Sequence, residues 1–271
     1  MASHTIRSAA VAGLFYPADS RTLITQLHKL LAHAAPSHAM EIPKALIVPH
    51  AGYVYSGPVA AQAYALLTTL RHVVRRVVLL GPSHRVPLKG MALPGSTAFS
   101  TPLGTVNVDS DAINMLMNEP DVCIDDRAHD AEHALEVQLP FLQTVLNYFH
   151  IVPVTVGFSE PSLVASLIEK LWGGPETLIV VSSDLSHYNS YAQARDLDGY
   201  AVDRILALDP VLDHEQACGA TAVNALLQLA QRHHLTPHLL DARNSGDTAG
   251  DRSRVVGYAA ISFSENERIE H

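Results

Sequence analysis

The sequence has little of what several classes of protein require. It holds only two cysteines, Cys123 and Cys218, in 271 residues, so a disulfide framework cannot support the chain and a reducing compartment is indicated. No apolar run reaches the roughly 18 residues that span a membrane. No charged segment followed by an apolar one marks a signal peptide. We therefore expect a cytoplasmic protein with no membrane partner.

Positive charge and linker-like sequence are also scarce. The chain has 18 Lys and Arg residues against 27 Asp and Glu, which gives a formal net charge of −9 with His neutral. An acidic chain without a Lys/Arg cluster repels phosphate backbones, so nucleic acid is not an expected partner. No long Pro-, Gly- or Ser-rich stretch separates two parts of the chain. We interpret residues 1–271 as one domain.

Short apolar runs alternate with amphipathic segments along the chain. Three continuous apolar runs predict buried strands, at residues 45–48, 76–80 and 177–181. Residues 20–34 have apolar side chains at helical spacing, and Asp19 or Ser20 can cap that helix. Strands of this kind between helices predict an α/β fold with a central, largely parallel sheet covered by helices on both faces.

Each of these three strands runs into a polar residue. His50 follows the first, His84 the second and Asp184 the third, with His187 three residues later. Ligands of open α/β sheets bind beyond the carboxyl ends of the strands, so these side chains meet in one crevice if the strands are parallel neighbours. Neutral imidazole is a common ligand of Fe, Cu and Zn. The pattern predicts a shared polar site.

A second group of candidates lies in residues 126–136. His129 and His133 are four residues apart, and so are Glu132 and Glu136, so on a helix each pair shares a face. Histidine and carboxylate at that spacing can ligate a metal or supply a general base. The acidic residues also fit an exposed helix N-terminus. The apolar run that follows His133 and Glu136 indicates burial, and we keep both as candidate catalytic residues.

The pattern around the cysteines gives no sign of chemistry. Cys218 falls inside a predicted helix over residues 213–233, where an isolated cysteine is by default a small core residue. Cys123 is interpreted as structural. A further helix is predicted over residues 131–148, with an interruption at Pro140 left open.

Six stretches spread over most of the chain match the motifs of one family. They are residues 12–17, 49–57, 81–84, 132–141, 182–188 and 256–259. Together they resemble the Memo family, whose bacterial members are called AmmeMemoRadiSam system protein B, over roughly residues 11–263. The combination is specific, whereas Pro-His-Ala-Gly-Tyr alone would not be.

The resemblance implies both a fold and a metal site. The fold would be like that of the catalytic subunit of class III extradiol dioxygenases, the LigB-like proteins. The site would have His50, His84 and Cys218 as metal ligands, where the dioxygenases use two His and one Glu. Asp184 and His187 match residues that line the same pocket, and His187 is nearest to the acid/base histidine of the dioxygenases. The resemblance also implies a functional partnership with radical-SAM and AMME-type proteins.

These observations favour a redox metalloenzyme that holds Fe(II) or Cu, with Zn as a substitute. In this hypothesis His187 moves protons, and Asp184 or Glu136 orients a ligand histidine. The alternative is a non-enzymatic module that binds a peptide or small molecule in the same pocket. A hydrolase that uses Ser182 or Ser183 with His187 is disfavoured, because the sequence has no Gly-x-Ser-x-Gly elbow.

Overall fold

The computed structural model describes residues 5–34 and 42–265. The strands are β1 (Ile6–Arg7), β2 (Pro43–Val48), β3 (Arg76–Pro82), β4 (Met91–Leu93), β5 (Ala98–Thr101), β6 (Gly104–Asn107), β7 (Val122–Ile124), β8 (His150–Val156), β9 (Thr177–Ser182), β10 (His187–Asn189), β11 (Leu235–Asn244) and β12 (Val255–Glu265). The helices are α1 (Ser20–His33), α2 (Tyr53–Ala65), α3 (Ser110–Leu116), α4 (Arg127–Asp130), α5 (Leu139–Val145), α6 (Pro161–Lys170), α7 (Tyr191–Leu206), α8 (Ala220–Arg232) and α9 (Ser245–Thr248). Short 3₁₀-helices cover Leu66–Leu70 and Glu136–Gln138. Residues 1–4, 35–41 and 266–271, which the single-domain expectation includes, lie outside the described residues.

The central sheet has the strand order β10-β12-β2-β9-β3-β8-β4-β7, and β11 pairs along β12. The four middle strands, β2, β9, β3 and β8, are mutually parallel. Antiparallel pairs flank them, through β12 on one side and β4 on the other. A separate three-stranded sheet joins β1, β5 and β6. The predicted α/β fold is confirmed, with the parallel pairing concentrated in the middle of the sheet.

The middle strands are buried along their length, which explains their continuous apolar sequences. One group of helices, α1, α2 and α5, packs together, and α2 also contacts β2, β11 and β12. In a second group α6 packs on α8, and α8 contacts β3, β9 and β11. Helices therefore flank the sheet, and one continuous apolar cluster fills the space between the layers.

The first helix begins where its sequence predicts. The side chain of Asp19 accepts a hydrogen bond from the backbone N–H of Thr22 at 2.8 Å, so Asp19 is the N-cap. Leu23 and Leu27, one turn apart, are fully buried on the inner face. Over the described residues, none of the helices has the length and apolar character needed to cross a membrane.

The long helix predicted over residues 131–148 is wrong. The chain leaves α4 after Asp130, turns, and becomes helical again only from Glu136, with Pro140 in the first turn of α5. The side chain of Glu132 accepts the backbone N–H groups of His133 and Ala134 at 2.8 Å each. These local bonds compete with helical ones, and they stabilise the turn.

The helix predicted over residues 213–233 begins later than expected, at Ala220. The side chain of Asp213 accepts the backbone N–H groups of Glu215 and Gln216 at 2.9 Å each, which holds a turn before the helix. At Gly219 an added Cβ would lie 2.9 Å from the Cβ of Ser183. Glycine therefore lets the start of α8 approach the end of β9 closely. Cys218 lies on this turn and not inside a helix.

Candidate metal centre

The carboxyl ends of three neighbouring parallel strands carry the first candidate residues. His50 follows β2, His84 follows β3, and Asp184 follows β9, which lies between those two strands. The ring centroids of His50 and His84 are 5.1 Å apart. The shared strand-end position thus brings together residues that are distant in the sequence.

His133 completes a group of three histidines. Its ring centroid lies 5.4 Å from that of His50 and 4.7 Å from that of His84. One ligand nitrogen from each of the three rings lies within 4.8 Å of the others. His50 is buried, His133 is half-buried and His84 is exposed, so the group is open to solvent on one side. The three histidines could hold a metal ion.

The protonation of the His50 ring follows from its hydrogen bonds. The Ser182 hydroxyl donates its proton to the carbonyl of Ala134 at 2.7 Å and accepts from Gln138 Nε2 at 2.8 Å. The Ser182 Oγ lies 3.0 Å from His50 Nδ1 and has only a lone pair left for this contact. His50 Nδ1 must therefore carry the proton and donate it to Ser182. Burial lowers the pKa of His50 well below its ordinary value, and the nearby charges of His84 and His133 lower it further. His50 is therefore neutral, and its lone pair is on Nε2.

Glu132 orients the other two histidines. Its carboxylate accepts from the backbone N–H of His84 at 2.6 Å and from His84 Nδ1 at 2.9 Å. His133 Nδ1 lies 3.2 Å from the same carboxylate. Burial acts to raise the pKa of Glu132, but its close contacts with His133 and His84 outweigh this effect and hold the pKa well below its usual range. An ionised carboxylate behind ligand histidines is a common feature of metal sites.

Cys218 lies beside His50. Its Sγ is 3.2 Å from His50 Nε2, and it accepts the backbone N–H of Asp184 at 3.3 Å. The backbone N–H of Cys218 donates to the carbonyl of Asp184 at 3.2 Å, which ties the turn before α8 to the end of β9. Burial raises the pKa of the thiol to about 12, and the charge of Asp184 adds to this effect. A thiolate here needs a cation beside it.

Asp184 contacts this group directly, and the charge of His187 adds to the effect of burial in lowering the pKa of His50. Asp184 Oδ1 accepts the backbone N–H of His50 at 2.7 Å, and burial raises the pKa of its carboxyl. His187 Nδ1 lies 2.8 Å from the carbonyl oxygen of Leu185, which can only accept. His187 therefore carries its proton on Nδ1 when neutral, and its Nε2 is an acceptor.

In the described residues, the partners of the Glu136 carboxylate lie in the segment before α1 and include none of the three histidines, so these contacts do not favour its expected role behind a ligand histidine. Its carboxylate forms a buried ion pair with Arg7 and accepts the Tyr16 hydroxyl at 2.5 Å. It also accepts the backbone N–H groups of Ala10 at 2.7 Å and Val11 at 3.0 Å. The helical spacing that grouped it with Glu132 fails because the chain turns between them. Glu136 anchors the segment before α1.

That segment still reaches the histidines. Phe15 lies in the chain between Val11 and Tyr16, the two residues that Glu136 holds. Its ring centroid is 4.7 Å from that of His133. The carbonyl of Phe15 accepts the backbone N–H of Tyr53 at 2.8 Å. Phe15 thus forms an apolar wall of the site.

His129 is a structural residue. Its Nε2 lies 3.0 Å from the carbonyl of Ala92 and its Nδ1 3.2 Å from the Thr155 hydroxyl. Burial lowers its pKa to about 4. The sequence interpretation missed Glu132 and Ser182 as orienting groups. The adjacent pair Glu132-His133 was a signal for the first, whereas nothing local distinguishes Ser182 from a turn serine.

Comparison with known proteins agrees with this arrangement of motifs. The family model described as Memo-like protein matches residues 7–262. The chain belongs to the Memo family. The matched range includes the three histidines, Glu132, Cys218 and the residues beside them.

Curated relatives of this Memo chain are similar over their whole length. A MEMO1 family protein of Sulfolobus acidocaldarius is 37% identical, over 96% of this chain and 100% of the relative. A MEMO1 family protein of Aquifex aeolicus is 36% identical, over 95% of this chain and 99% of the relative. A MEMO1 family protein of Methanothermobacter thermautotrophicus is 36% identical, over 95% of this chain and 100% of the relative.

Proposed function

We propose that this Memo-family chain is a metal-dependent oxidoreductase of the non-haem dioxygenase type, with Fe(II) or Cu held by His50, His84 and Cys218. The observation that carries the proposal is the approach of Cys218 Sγ to His50 Nε2 at 3.2 Å, beside two more histidines. Asp184 and His187 remain beside this set as groups that can orient and move protons.

The donor set fits a transition metal. A metal bound by nitrogen at about 2.1 Å and sulfur at about 2.3 Å separates the two ligand atoms by roughly 3.1 Å at a right angle and roughly 3.6 Å at a tetrahedral angle. The observed 3.2 Å lies within that range. The neutral His50 ring and the Glu132-bound His84 ring each keep Nε2 for a metal. A buried thiol with a pKa near 12 becomes a thiolate only beside a cation.

His133 has a different role in this proposal. It is the third histidine of the group, but its Nδ1 lies 3.2 Å from Glu132 without a well-directed hydrogen bond. We assign it to the ligand side of the pocket, where its ring can donate to a bound molecule. Phe15, packed on the same ring, excludes water there.

His187 is the proton-transfer residue of the proposal. When bound, Fe(II) or Cu would supply redox chemistry with dioxygen and Lewis acidity, as thiolate and imidazole ligands allow. The hydrogen bond from His187 Nδ1 to the Leu185 carbonyl leaves Nε2 to accept a proton from an acidic group of the substrate. Asp184 fixes the backbone of His50 and so positions that ligand.

The test compares the two cysteines. Wild type, Cys218→Ser and Cys123→Ser are purified anaerobically, and metal content and dioxygen consumption are measured after loading with Fe(II) or Cu. Cys123 is exposed and lies on β7, so Cys123→Ser is the matched control. We expect about one metal per chain in wild type and the control, and a loss of metal or of dioxygen consumption in Cys218→Ser. Equal metal content and equal rates in all three proteins would contradict the ligand role of Cys218. Dioxygen consumption by metal-loaded wild type that does not exceed that of metal-free protein would contradict a redox role and favour a non-enzymatic binding module.

A further inference from the structure

An exposed arginine and tyrosine lie beside His187. The guanidinium of Arg254 is 5.1 Å from the centroid of the Tyr188 ring, and that ring is 5.8 Å from the His187 ring. Tyr188 is 64% exposed, and Arg254 is exposed. The pair is therefore open to solvent directly beside His187.

The backbone holds Tyr188 in this position at a cost. Tyr188 has φ +60°, the left-handed region that a tyrosine rarely adopts. The pairing of β10 with β12 is irregular between His187 and Asn189, so Tyr188 is the residue of a bulge. Bulges are common next to functional sites, where they change the direction of a side chain, and this one lies directly after His187.

The segment that joins Asp184 to His187 is hydrogen-bonded to β12, which begins one residue after Arg254. The backbone N–H of Leu185 donates to the carbonyl of Gly257 at 2.8 Å, and the backbone N–H of Gly257 donates to the carbonyl of Ser186 at 2.9 Å. The start of β12 therefore lies beside the segment that carries both Asp184 and His187.

Arg254 differs from the other arginines that cover a tyrosine. Arg204 lies over Tyr200 and forms an ion pair with Asp209. Arg252 lies over Tyr191 and is 3.9 Å from a carboxylate oxygen of Asp247.

No such carboxylate faces Arg254 among the residues that the structure describes. The nearby Asp251 instead accepts the backbone N–H of Ser253 at 2.5 Å. Arg254 therefore presents guanidinium donors that no side chain of the described chain uses.

We infer that the pocket takes a small organic carboxylate, whose carboxylate is bound by Arg254 against the Tyr188 ring while another part of the molecule reaches the metal centre. Arginine binds carboxylates through two parallel hydrogen bonds, and its flat face stacks on aromatic rings. The inference rests on the proposed metal centre and names the substrate class of that site.

Hydroxamates provide a probe that does not require turnover. The protein is loaded with Zn(II), which is redox-inactive, and its Zn stoichiometry is measured first. Calorimetry then compares the monohydroxamates of succinate, glutarate and adipate with alkyl hydroxamates of the same chain lengths. Each pair shares the metal-binding group and differs in the terminal carboxylate.

We expect at least one carboxylate-bearing hydroxamate to bind wild type on the order of tenfold tighter than its alkyl partner, because a charge-assisted hydrogen bond is gained. Arg254→Gln should bring that ratio close to one, and Arg254→Lys should keep part of it. Arg252→Gln is the matched control and should keep the wild-type ratio. The preference should weaken as salt is added.

Two results would overturn the inference. Equal affinity for both members of every pair in Zn-loaded wild type, or an unchanged ratio in Arg254→Gln, contradicts the carboxylate site and leaves the metal centre standing. Absence of Zn binding by wild type would contradict the metal centre as well. The Zn stoichiometry therefore distinguishes failure of the metal centre from failure of the carboxylate site alone.

Discussion

Glu132 and His84 are joined by two hydrogen bonds, one from the backbone N–H at 2.6 Å and one from the ring Nδ1 at 2.9 Å. The same carboxylate is 2% exposed and accepts the backbone N–H of His133. One side chain therefore sets both the position and the ring orientation of His84, and it ties His133 to the same point. A carboxylate behind a ligand histidine also makes the free nitrogen more basic.

We expect Glu132→Gln to weaken metal binding by about 10- to 100-fold, the usual effect of losing a partner of a ligand histidine. Glutamine has the same shape but presents an NH₂ group to N–H donors. The measurement is the dissociation constant for Zn(II) in competition with a chelator, on protein whose circular dichroism matches wild type.

Glu169→Gln is the matched control for that variant. Glu169 of α6 also contacts a histidine, at 2.9 Å, but this residue, His233, lies just after the end of α8 and away from the metal centre. Its replacement should leave the dissociation constant unchanged. A wild-type constant in Glu132→Gln would show that this carboxylate does not support the metal centre.

The strand-end residues could be predicted from the sequence because their signal is repeated. Three apolar runs end in His50, His84 and Asp184, and the parallel order β2-β9-β3 brings those ends to one edge. A buried strand can be recognised from its own few residues. That the residue after its carboxyl end faces the ligand crevice follows from the general topology of open α/β sheets.

The roles of Glu132 and Glu136 could not be separated in this way. Their spacing of four residues predicts that both lie on one face of a helix. The chain instead turns after Asp130, so the two carboxylates contact different residues. The partner of Glu136 is Arg7, 129 positions away along the chain. A contact between residues so far apart in the sequence cannot be predicted from the local spacing of residue types.

Cys218 shows a third case. The apolar spacing around Cys218 predicts a helix, but the residue lies on a turn before α8. That turn depends on the side chain of Asp213 and on the close approach of Gly219 to Ser183. Only the family resemblance singled it out. The contact between Gly219 and Ser183 joins residues that are far apart in the sequence. The local sequence before Ala220 therefore does not predict that α8 begins at that residue.

Glu136→Gln should destabilise the fold without removing the metal. It leaves Arg7 buried with no counter-charge, and breaking a buried ion pair costs about 3 kcal/mol or more. Denaturant titration should show a lower midpoint with an unchanged slope. The double variant Arg7→Met/Glu136→Gln should lose less than the sum of its single variants, because the unpaired charge is absent. Loss of metal at unchanged stability would instead place Glu136 at the centre.

His129 should make stability depend on pH below neutrality. Its pKa is about 4 in the folded protein and near 6.5 when unfolded, so between these values the unfolded state binds a proton that the folded state does not. Stability present above pH 6.5 is lost as the pH falls towards 4, by up to roughly 3 kcal/mol. We expect the free energy of unfolding of His129→Gln to fall less steeply over this range than that of wild type. Parallel curves would contradict the assignment.

His187→Ala should retain the metal and lose dioxygen consumption. The ring is near enough to His50 for its charge to act on that residue, its Nδ1 is committed to the Leu185 carbonyl, and its Nε2 is the acceptor. We therefore expect its removal to take away a proton-transfer group and no ligand. Loss of a general base lowers rates by roughly 10²- to 10⁴-fold. His72→Ala, which removes an exposed histidine, is the control and should match wild type in both readings.

Added imidazole distinguishes proton transfer from a structural role in the same variant. A free imidazole that enters the space left by His187 can accept the proton, so it should restore part of the rate, with a pH dependence that follows its own titration. A variant that has lost only local packing would gain nothing from the added base. If His187→Ala emerges without metal while His72→Ala keeps it, His187 is a ligand. The proton-transfer role would then have to pass to His133, which is the remaining histidine of the group with a ring on the ligand side.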